Sequence, residues 1–410
     1  MRRLVIFLGI VFLLNLYVFS GYKVLIQNVE SRTNLWLKIG YWVLVALAYA
    51  ALAYSVTHFR TAAPSFWSKA AISFFFIFMV IQLIYGIFLA IDDLVRLVQY
   101  IGSLFQRPSS NEASGGISRK SFLVKSGALT ATGFGAALAY GVIKGSHRYR
   151  IVNQKLEIPG LPSSLKGLKI VQISDIHSGS FWSKQAVQKG VDLINQQNAD
   201  LVFFTGDIVN NKAEEMDNYI DVFGQVSAPM GVYSIMGNHD YGEYVPGFKR
   251  EDLPENIRQI SAVHKKLGWD LLLNENRILE KNGDKLAVVG IENWGNRMHF
   301  SQYGDLKKAI EGVDPKTPTL LLSHDPSHWR GEVLKDYPQV DAMFSGHTHG
   351  MQFGIETAGF KWSPVKYMYP EWAGLYEEGN QKLYVNRGFG YLGFPGRLGI
   401  WPEITVFELA

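Results

Sequence analysis

Three long apolar stretches in the first third of the chain constrain its fold more than any other sequence feature. They lie at residues 4 to about 18, 39–56 and 70–91. A helix of about 20 predominantly apolar residues is needed to cross the hydrocarbon layer of a bilayer. A cleaved signal peptide could explain the first stretch, but not three in series. Residues 1–105 are therefore predicted to form three transmembrane helices.

A fourth segment at residues 126–145, which is uncharged up to Ile143, has two alternative interpretations. It is rich in Gly, Ala and Thr and follows a polar and basic linker at residues 106–125. The end of that linker, SRKSFL at 118–123, is similar to the twin-arginine export signal, with Lys120 in place of the second arginine. The stretch is thus either a fourth transmembrane helix or an export segment of that type.

The basic residues of the linker bear on membrane orientation. Cytoplasmic loops carry an excess of Lys and Arg, which draws the linker toward the cytoplasm. One further crossing then puts the C-terminal domain on the extracytoplasmic side, although Arg2 and Arg3 favour the opposite orientation for the N-terminus. We therefore expect a multi-pass protein of the cell membrane with an extracytoplasmic C-terminal domain.

The remaining 260 or so residues repeat one pattern, an apolar run of strand length followed directly by a polar cluster. Continuous apolar runs are typical of strands that are buried on both faces. A helical segment at 183–197 supplies one crossover, and sites in such sheets form beyond the carboxyl ends of the strands. The clusters after the runs at 168–173, 199–205, 231–236, 319–322 and 340–344 contain, in order, Asp175 and His177, Asp207, Asn238 to Asp240, His324, and His347 and His349.

The residue types in these clusters indicate a metal site. The chain contains no cysteine, which excludes thiolate catalysis, disulfides and cysteine-ligated metals. Asp, Asn and His instead offer oxygen and nitrogen donors that suit Mn, Fe, Zn or Mg. A carboxylate can bridge two such cations, and a cation pair can stabilise both the attacking and the leaving oxygen at phosphorus.

The order of the clusters resembles that of the calcineurin-like metallophosphoesterase family. D-x-H, G-D, G-N-H-D, a lone His and G-H-T-H follow one another between about residues 165 and 350, and the C-terminal segment looks like that of membrane-anchored bacterial members. The resemblance implies an α/β fold for residues 150–410, a four-layer α/β/β/α sandwich preceded by an all-α transmembrane region.

The resemblance also implies a role for each site residue. Asp175, His177 and His349 would hold one divalent metal ion, Asn238, His324 and His347 a second, and Asp207 would bridge the two. A hydroxide between the metals would be the nucleophile. His239 would protonate the leaving oxygen, and Asp240 would orient the ring of His239. Many family members have an Asp where this chain has Asn210.

The expected function is metal-dependent hydrolysis of a phosphomonoester or phosphodiester. A membrane tether favours a lipid-linked or envelope substrate, and a net charge of +4 that largely flanks apolar segments gives no reason to expect nucleic-acid binding. The alternative is a non-catalytic membrane scaffold that kept the fold. Such a scaffold would usually have lost ligands, whereas all seven are present here. Arg387 or Arg397 could contact a substrate phosphate, with structural ion pairing as the other interpretation.

Overall fold

The computed structural model describes residues 2–58, 65–105, 119–297 and 300–410. Most of the predicted linker, residues 106–118, lies outside these ranges. The chain divides into two compact units, the first ending at Tyr140 and the second comprising residues 141–410. The helices of the N-terminal region are α1 (Arg2–Leu25), α2 (Ser31–His58), α3 (Phe66–Ser103) and α4 (Arg119–Ile143).

Helices α1, α2 and α3 extend beyond both ends of the apolar stretches that predicted them, and α4 begins before its segment and ends at Ile143. By length and composition each of the four is able to cross a membrane. Helix α3 continues past Asp92, because the Asp92 carboxylate is buried against Arg96 and Arg119 instead of ending the helix in water. Helix α4 begins at Arg119, so residues 119–125 are helical and do not belong to an extended linker.

The first unit has an apolar and aromatic interior. Val18, Tyr41, Val45, Tyr85 and Leu89 are buried together. The Tyr41 hydroxyl donates a hydrogen bond to the Asn15 carbonyl at 2.8 Å, which satisfies a polar group that would be costly to leave unpaired in an apolar interior.

The second unit is built on two six-stranded sheets and a small hairpin. The first sheet has the order β1-β14-β2-β3-β4-β5 and the second the order β12-β13-β9-β8-β7-β6, while β10 pairs with β11. In chain order the strands are β1 (Arg150–Leu156), β2 (Lys169–Ile173), β3 (Leu201–Phe204), β4 (Val232–Ser234), β5 (Asp270–Leu271), β6 (Glu275–Lys281), β7 (Asp284–Gly290), β8 (Thr319–Leu322), β9 (Ala342–Ser345), β10 (Ile355–Thr357), β11 (Phe360–Trp362), β12 (Gly374–Glu378), β13 (Gln381–Val385) and β14 (Glu403–Leu409).

The two six-stranded sheets pack face to face. Alternate residues of each strand point to opposite faces of its sheet, so every second side chain lies between the two sheets. Phe203, Phe344 and Phe407 lie between the sheets, where Phe344 meets the other two edge to face at 5.2 and 5.0 Å. Such ring pairs add about 0.5–1.5 kcal/mol each beyond burial of their area. The neighbouring positions Phe204 and Met343 face outward into separate cores.

Helices cover both outer faces, which confirms the predicted four-layer α/β/β/α sandwich. Helices on the first sheet bury Val187, Val191 and Ile260 against it, and those on the second bury Leu306 and Val333. These helices are α5 (Lys184–Asn195), α6 (Ile220–Phe223) and α7 (Leu253–Leu267) on the first sheet, and α8 (Leu306–Ala309) and α9 (Leu334–Asp336), which continues the turn Trp329–Val333, on the second.

Within each sheet, the strands that precede the polar clusters run parallel. Strands β2, β3 and β4 are mutually parallel neighbours in the first sheet, and β8 and β9 are parallel neighbours in the second. Their carboxyl ends therefore deliver the polar clusters to one edge of each sheet.

Candidate metal centre

Every predicted ligand lies just past the carboxyl end of one of these five strands. The structure groups six of them into two sets of three, in each of which the ligand atoms lie within 4.8 Å of one another. The first cluster is Asp175, His177 and His349, and the second is Asp207, His324 and His347, beside which Asn238 also lies.

Five of these residues have an unusual backbone conformation. Their φ angles lie between 48° and 69°, in the left-handed region that most side chains avoid, although Asp, Asn and His tolerate it best. Backbone hydrogen bonds fix the turns: the Asp175 amide donates to Gly206 at 2.9 Å and the His177 amide to Asp207 at 3.1 Å. The five are Asp175, His177, Asp207, His347 and His349.

Two glycines allow the loops to approach one another closely. A β-carbon at Gly346 would overlap the Ser174 hydroxyl and the Asp175 carboxylate, and one at Gly237 would overlap the Asp207 carboxylate. The ligand-bearing loops therefore meet only because these positions lack side chains.

In the first cluster, His349 Nε2 lies 3.3 Å from Asp175 Oδ1. Asp175 and His177 are completely buried. Neither ring nitrogen of His177 meets a hydrogen-bond partner in the described part of the chain. A buried polar group without a partner is costly, and a cation bound by the ring would remove that cost.

In the second cluster, the tautomers can be read from the hydrogen bonds. His324 Nδ1 lies 2.7 Å from the Thr205 carbonyl, which can only accept, so Nδ1 carries a proton and Nε2 is the nitrogen available to a cation. Asn238 donates its amide to Tyr244 at 2.9 Å, which turns its oxygen Oδ1 toward His347.

The ring of His347 is oriented from its far side. Its Nε2 lies 3.0 Å from the Tyr369 hydroxyl, which in turn donates to Asp325 at 3.3 Å. The opposite nitrogen, Nδ1, lies 2.8 Å from Asn238 Oδ1 and 3.3 Å from His324 Nε2. Three atoms that can each bind a cation, Asn238 Oδ1, His347 Nδ1 and His324 Nε2, thus lie close together.

Asp207 connects the two clusters. Its Oδ2 lies 3.1 Å from His324 Nε2 in the second cluster and 3.5 Å from His177 Nε2 in the first. Its other oxygen accepts a hydrogen bond from the His239 amide at 2.8 Å. The carboxylate therefore occupies the position from which one oxygen can face both clusters.

Without cations, burial and the neighbouring charges set the pKa values of these groups. Burial lowers the pKa of His177 and of His347. For His324 burial acts in the same direction, but the Asp207 carboxylate outweighs it and raises the pKa to about 10. Burial would raise the pKa of Asp207, yet His324 holds it well below the usual range. A proton on His324 Nε2 thus balances carboxylate charge when no cation is bound, and a cation bound by that nitrogen would displace the proton.

His239 lies beside the first cluster without joining it. Its ring is 5.0 Å from that of His177, between centroids, and packs against the Tyr244 ring at 4.5 Å with a tilt of 39°. Its Nδ1 lies 2.7 Å from the Asn210 carbonyl, so that nitrogen carries the proton and donates it. The ring is held by the backbone of Asn210, at the position where family members often have Asp.

The predicted role of Asp240 as the group that orients His239 is wrong. Its Oδ1 accepts from the amides of Ile208 and Val209 at 2.9 and 3.3 Å, and its Oδ2 from those of Asp207 and Gly237 at 2.8 and 2.9 Å. The side chain is completely buried. Asp240 instead fixes the turn that carries Asp207, a role that local sequence does not reveal because its partners are 31 to 33 residues away for three of the four bonds.

Tyr369, Tyr244 and Asp325 also lie at the site, although none of them was predicted there. Asp325 directly follows the predicted ligand His324 and could have been found for that reason, whereas the two tyrosines belong to loops without a motif.

The two arginines suggested as phosphate contacts are buried. Arg387 pairs with Glu403 and Glu356, and Arg397 donates to the carbonyls of Gly388 and Gly390 and contacts His349 Nδ1 at 3.1 Å.

Comparison with known families locates both parts of the chain. A family model described as "Calcineurin-like phosphoesterase" matches residues 168–351. A second, "Probable Calcineurin-like phosphoesterase, transmembrane domain", matches residues 1–146. The first match contains every residue of the two clusters, and the second contains the four apolar helices.

The names of curated relatives refer to the same two parts, a metallophosphoesterase domain and a transmembrane region. "Uncharacterized metallophosphoesterase YkuE" of Bacillus subtilis is 30% identical over 311 residues, covering 72% of this chain and 98% of the relative. "Transmembrane protein with metallophosphoesterase domain" of Danio rerio is 28% identical over 273 residues, covering 65% and 58%. This chain therefore spans less than two thirds of the Danio rerio relative. "UDP-2,3-diacylglucosamine pyrophosphatase LpxG" of Chlamydia muridarum is 29% identical over 299 residues, covering 61% and 84%.

Proposed function

Because the chain belongs to the calcineurin-like phosphoesterase family, we propose that it is a membrane-anchored, metal-dependent hydrolase of phosphoesters. The observation that carries this proposal is the position of Asp207 between two buried clusters of nitrogen and oxygen donors. A structural metal site would be closed and single, whereas two adjacent sites with a shared carboxylate suit an in-line displacement at phosphorus.

Seven residues of this chain would hold two divalent cations. Asp175, His177 and His349 form the first set and Asn238, His324 and His347 the second, with Asp207 common to both. Cations bound there would polarise the phosphoryl oxygens and lower the pKa of the attacking water. The identity of the metals, among Mn, Fe, Zn and Mg, stays a prediction from the donor types.

His239 is the residue that we assign to proton transfer. Its Nδ1 donates to the Asn210 carbonyl, which leaves Nε2 as the nitrogen that can carry and release a second proton. Its backbone amide is fixed to Asp207, so the ring keeps a constant position relative to both clusters. A positioned acid of this kind contributes about 10²–10⁴-fold to a rate.

The substrate class that we favour is a lipid-linked phosphoester of the cell envelope. The chain carries four helices able to cross a membrane, and the name of one relative assigns it a pyrophosphatase activity on a diacylated nucleotide sugar. We place the catalytic domain on the extracytoplasmic side, on the basis of the basic residues between the third and fourth apolar segments. Monoesters and diesters both stay candidates.

The test is hydrolysis by the full chain reconstituted in lipid nanodiscs. Bis-p-nitrophenyl phosphate and p-nitrophenyl phosphate would be offered after chelation and again after addition of Mn²⁺. Asp207→Asn should abolish turnover and reduce the bound metal measured by elemental analysis. His239→Asn should retain the metal but lose at least about 10²-fold in rate. Asp217→Asn, at an exposed carboxylate, is the matched control.

Two results would contradict the proposal. Turnover that survives in Asp207→Asn at reduced metal content would show that hydrolysis does not need the clusters. A folded, metal-loaded chain that hydrolyses neither a phosphoester nor a lipid-linked pyrophosphate would favour the non-catalytic scaffold.

A further inference from the structure

The hairpin β10–β11 exposes apolar side chains on one face, whereas Glu356 on its other face is partly buried and paired with arginine. Ile355 pairs with Trp362, Thr357 with Phe360, and Glu356 with Lys361. Because side chains alternate between the faces of a strand, the first two pairs share one face and the charged pair occupies the other. Ile355 and Phe360 are 54% and 57% exposed. A hairpin on a water-facing surface normally shows the reverse arrangement.

The charged face is held by specific contacts, so the orientation of the hairpin is fixed. Glu356 pairs with Arg387 at 2.5 Å and with Arg150 at 3.4 Å. The Lys361 amine donates to the Ala373 carbonyl at 2.6 Å and lies 4.8 Å above the Tyr376 ring. Rotating the hairpin to hide its apolar face would break these contacts and leave the carboxylate and the amine without partners.

Three further apolar side chains extend the exposed surface. Met351, Tyr367 and Met368 are exposed, Tyr367 to 75%. The turns that carry them contact each other, and the Ser363 hydroxyl links them through a 2.8 Å hydrogen bond to the Gly350 carbonyl. We refer to Met351, Ile355, Phe360, Tyr367 and Met368 together as the apolar rim.

The rim rests on a small core of its own. Val365, Tyr369, Trp372 and Ile400 are buried beneath it. Its shape is therefore set by packing, and the exposed side chains are not a loosely structured tail. Gly350 and Gly354, which lead into the turn and the hairpin of the rim, both lie close to Ile400 of this core. Exposed apolar side chains grouped on a packed surface mark an interaction site.

The partner that fits this surface is a lipid bilayer. The same chain carries four helices able to cross a membrane, so a bilayer is its permanent neighbour. Lys366 is exposed among the rim residues, and the only carboxylate of the described segment 351–368, that of Glu356, is already paired. Aromatic and aliphatic side chains flanked by lysine are the composition that inserts at the headgroup level.

We propose that the apolar rim inserts into the interface between headgroups and acyl chains, with Lys366 facing anionic headgroups. The rim begins two residues after His349 and ends next to Tyr369, whose hydroxyl contacts His347. Insertion therefore holds the loops of the metal centre at the membrane surface. This inference concerns membrane contact and does not depend on hydrolytic activity.

The experiment uses the absence of cysteine from the chain. Phe360→Cys would be labelled with the environment-sensitive dye NBD in the full chain, which is then reconstituted in nanodiscs containing phosphatidylglycerol. Phosphatidylcholine with a doxyl group on its acyl chain serves as quencher. The control is Ile278→Cys on strand β6, which has a comparable exposure of 43%.

Insertion predicts blue-shifted NBD emission at position 360 and quenching by doxyl lipid, with neither effect at position 278. Adding Ile355→Asp to the labelled Phe360→Cys chain should remove most of the quenching while the metal content stays unchanged. Equal quenching at positions 360 and 278 would overturn the proposal. So would a blue shift without quenching, because it would mean that protein, such as a second copy of the chain, covers the rim.

Discussion

Replacing Asp240 by asparagine separates the two roles considered for this side chain. Each carboxylate oxygen accepts two backbone N–H groups, one from Ile208 and one from Val209 at Oδ1, and those of Asp207 and Gly237 at Oδ2. Asparagine has the same shape, but one of its two terminal atoms is a donor. Two of the four buried amides would then face an N–H group in place of an acceptor.

The expected cost follows from that geometry. A buried donor left without an acceptor costs about 1–3 kcal/mol, so two such donors cost roughly 2–6 kcal/mol, with about 4 kcal/mol as the central value. For a domain of this size each kcal/mol lowers the melting temperature by about 2–4 °C. Asp240→Asn should therefore melt roughly 8–16 °C below the wild type.

The assay is thermal unfolding of the metal-loaded full chain in nanodiscs, followed by fluorescence of its 10 tryptophans. Asp217→Asn, which removes an exposed carboxylate nearby in sequence, should shift the melting temperature by no more than about 2 °C. If Asp240→Asn melted with this control but lost catalytic rate, the backbone role would be refuted and a role through His239 would be restored.

Three further changes test other contacts. Tyr369→Phe removes the hydroxyl that orients His347 and should weaken metal binding about 10–100-fold in a chelator competition. An unchanged metal affinity would show that this hydrogen bond does not contribute to metal binding. Gly346→Ala places a methyl group against the Asp175 carboxylate and should empty the first cluster, so elemental analysis would find about half the wild-type metal. Burial lowers the pKa of His264 to about 3, below its unfolded value of about 6.5. Its contribution to stability is therefore complete above pH 6.5 and falls by about 3 kcal/mol between pH 7 and pH 4. His264→Leu should flatten the decline of melting temperature over that range, and equal declines would contradict the assignment.

The buried strands could be predicted from the sequence because their signals are local and repeated, whereas the four-layer sandwich was predicted from the family resemblance. Runs such as 199–205 and 319–322 became β3 and β8, buried on both faces. Neighbouring parallel strands end at a common edge, so the closeness of His177 and Asp207 follows from the runs that became β2 and β3. The contact between Asp207 and His324 also needs the packing of the two sheets against each other. Length and apolar composition likewise indicated membrane helices. They did not indicate where each helix ends, and α3, for example, continues to Ser103.

Contacts between distant segments could not be predicted in this way. The alternation at residues 355–362 is that of an ordinary hairpin with its charges in water. Glu356 turns toward the protein instead because it pairs with Arg387 and Arg150, which are 31 and 206 residues away in sequence. The partners of Asp240 are equally distant in sequence. Three of the four amides that it accepts belong to the loop after β3, and no residue near Asp240 indicates this.

The backbone of the metal centre carries information that its residue types alone do not. Ten non-glycine residues of the described chain have positive φ, and five of them are candidate ligands. A strained φ of this kind costs on the order of 1–3 kcal/mol per residue, so five approach the total stability of an ordinary domain. Such a cost persists only where other interactions determine the conformation. Here these are the amide bonds to Asp240 and the bonds between the turns of Asp175 and Asp207, to which cation binding would add under the proposed function. The strained positions thus mark the centre independently of the motifs, and they explain why Asp and His, which tolerate this conformation, can supply both the turn and the ligand.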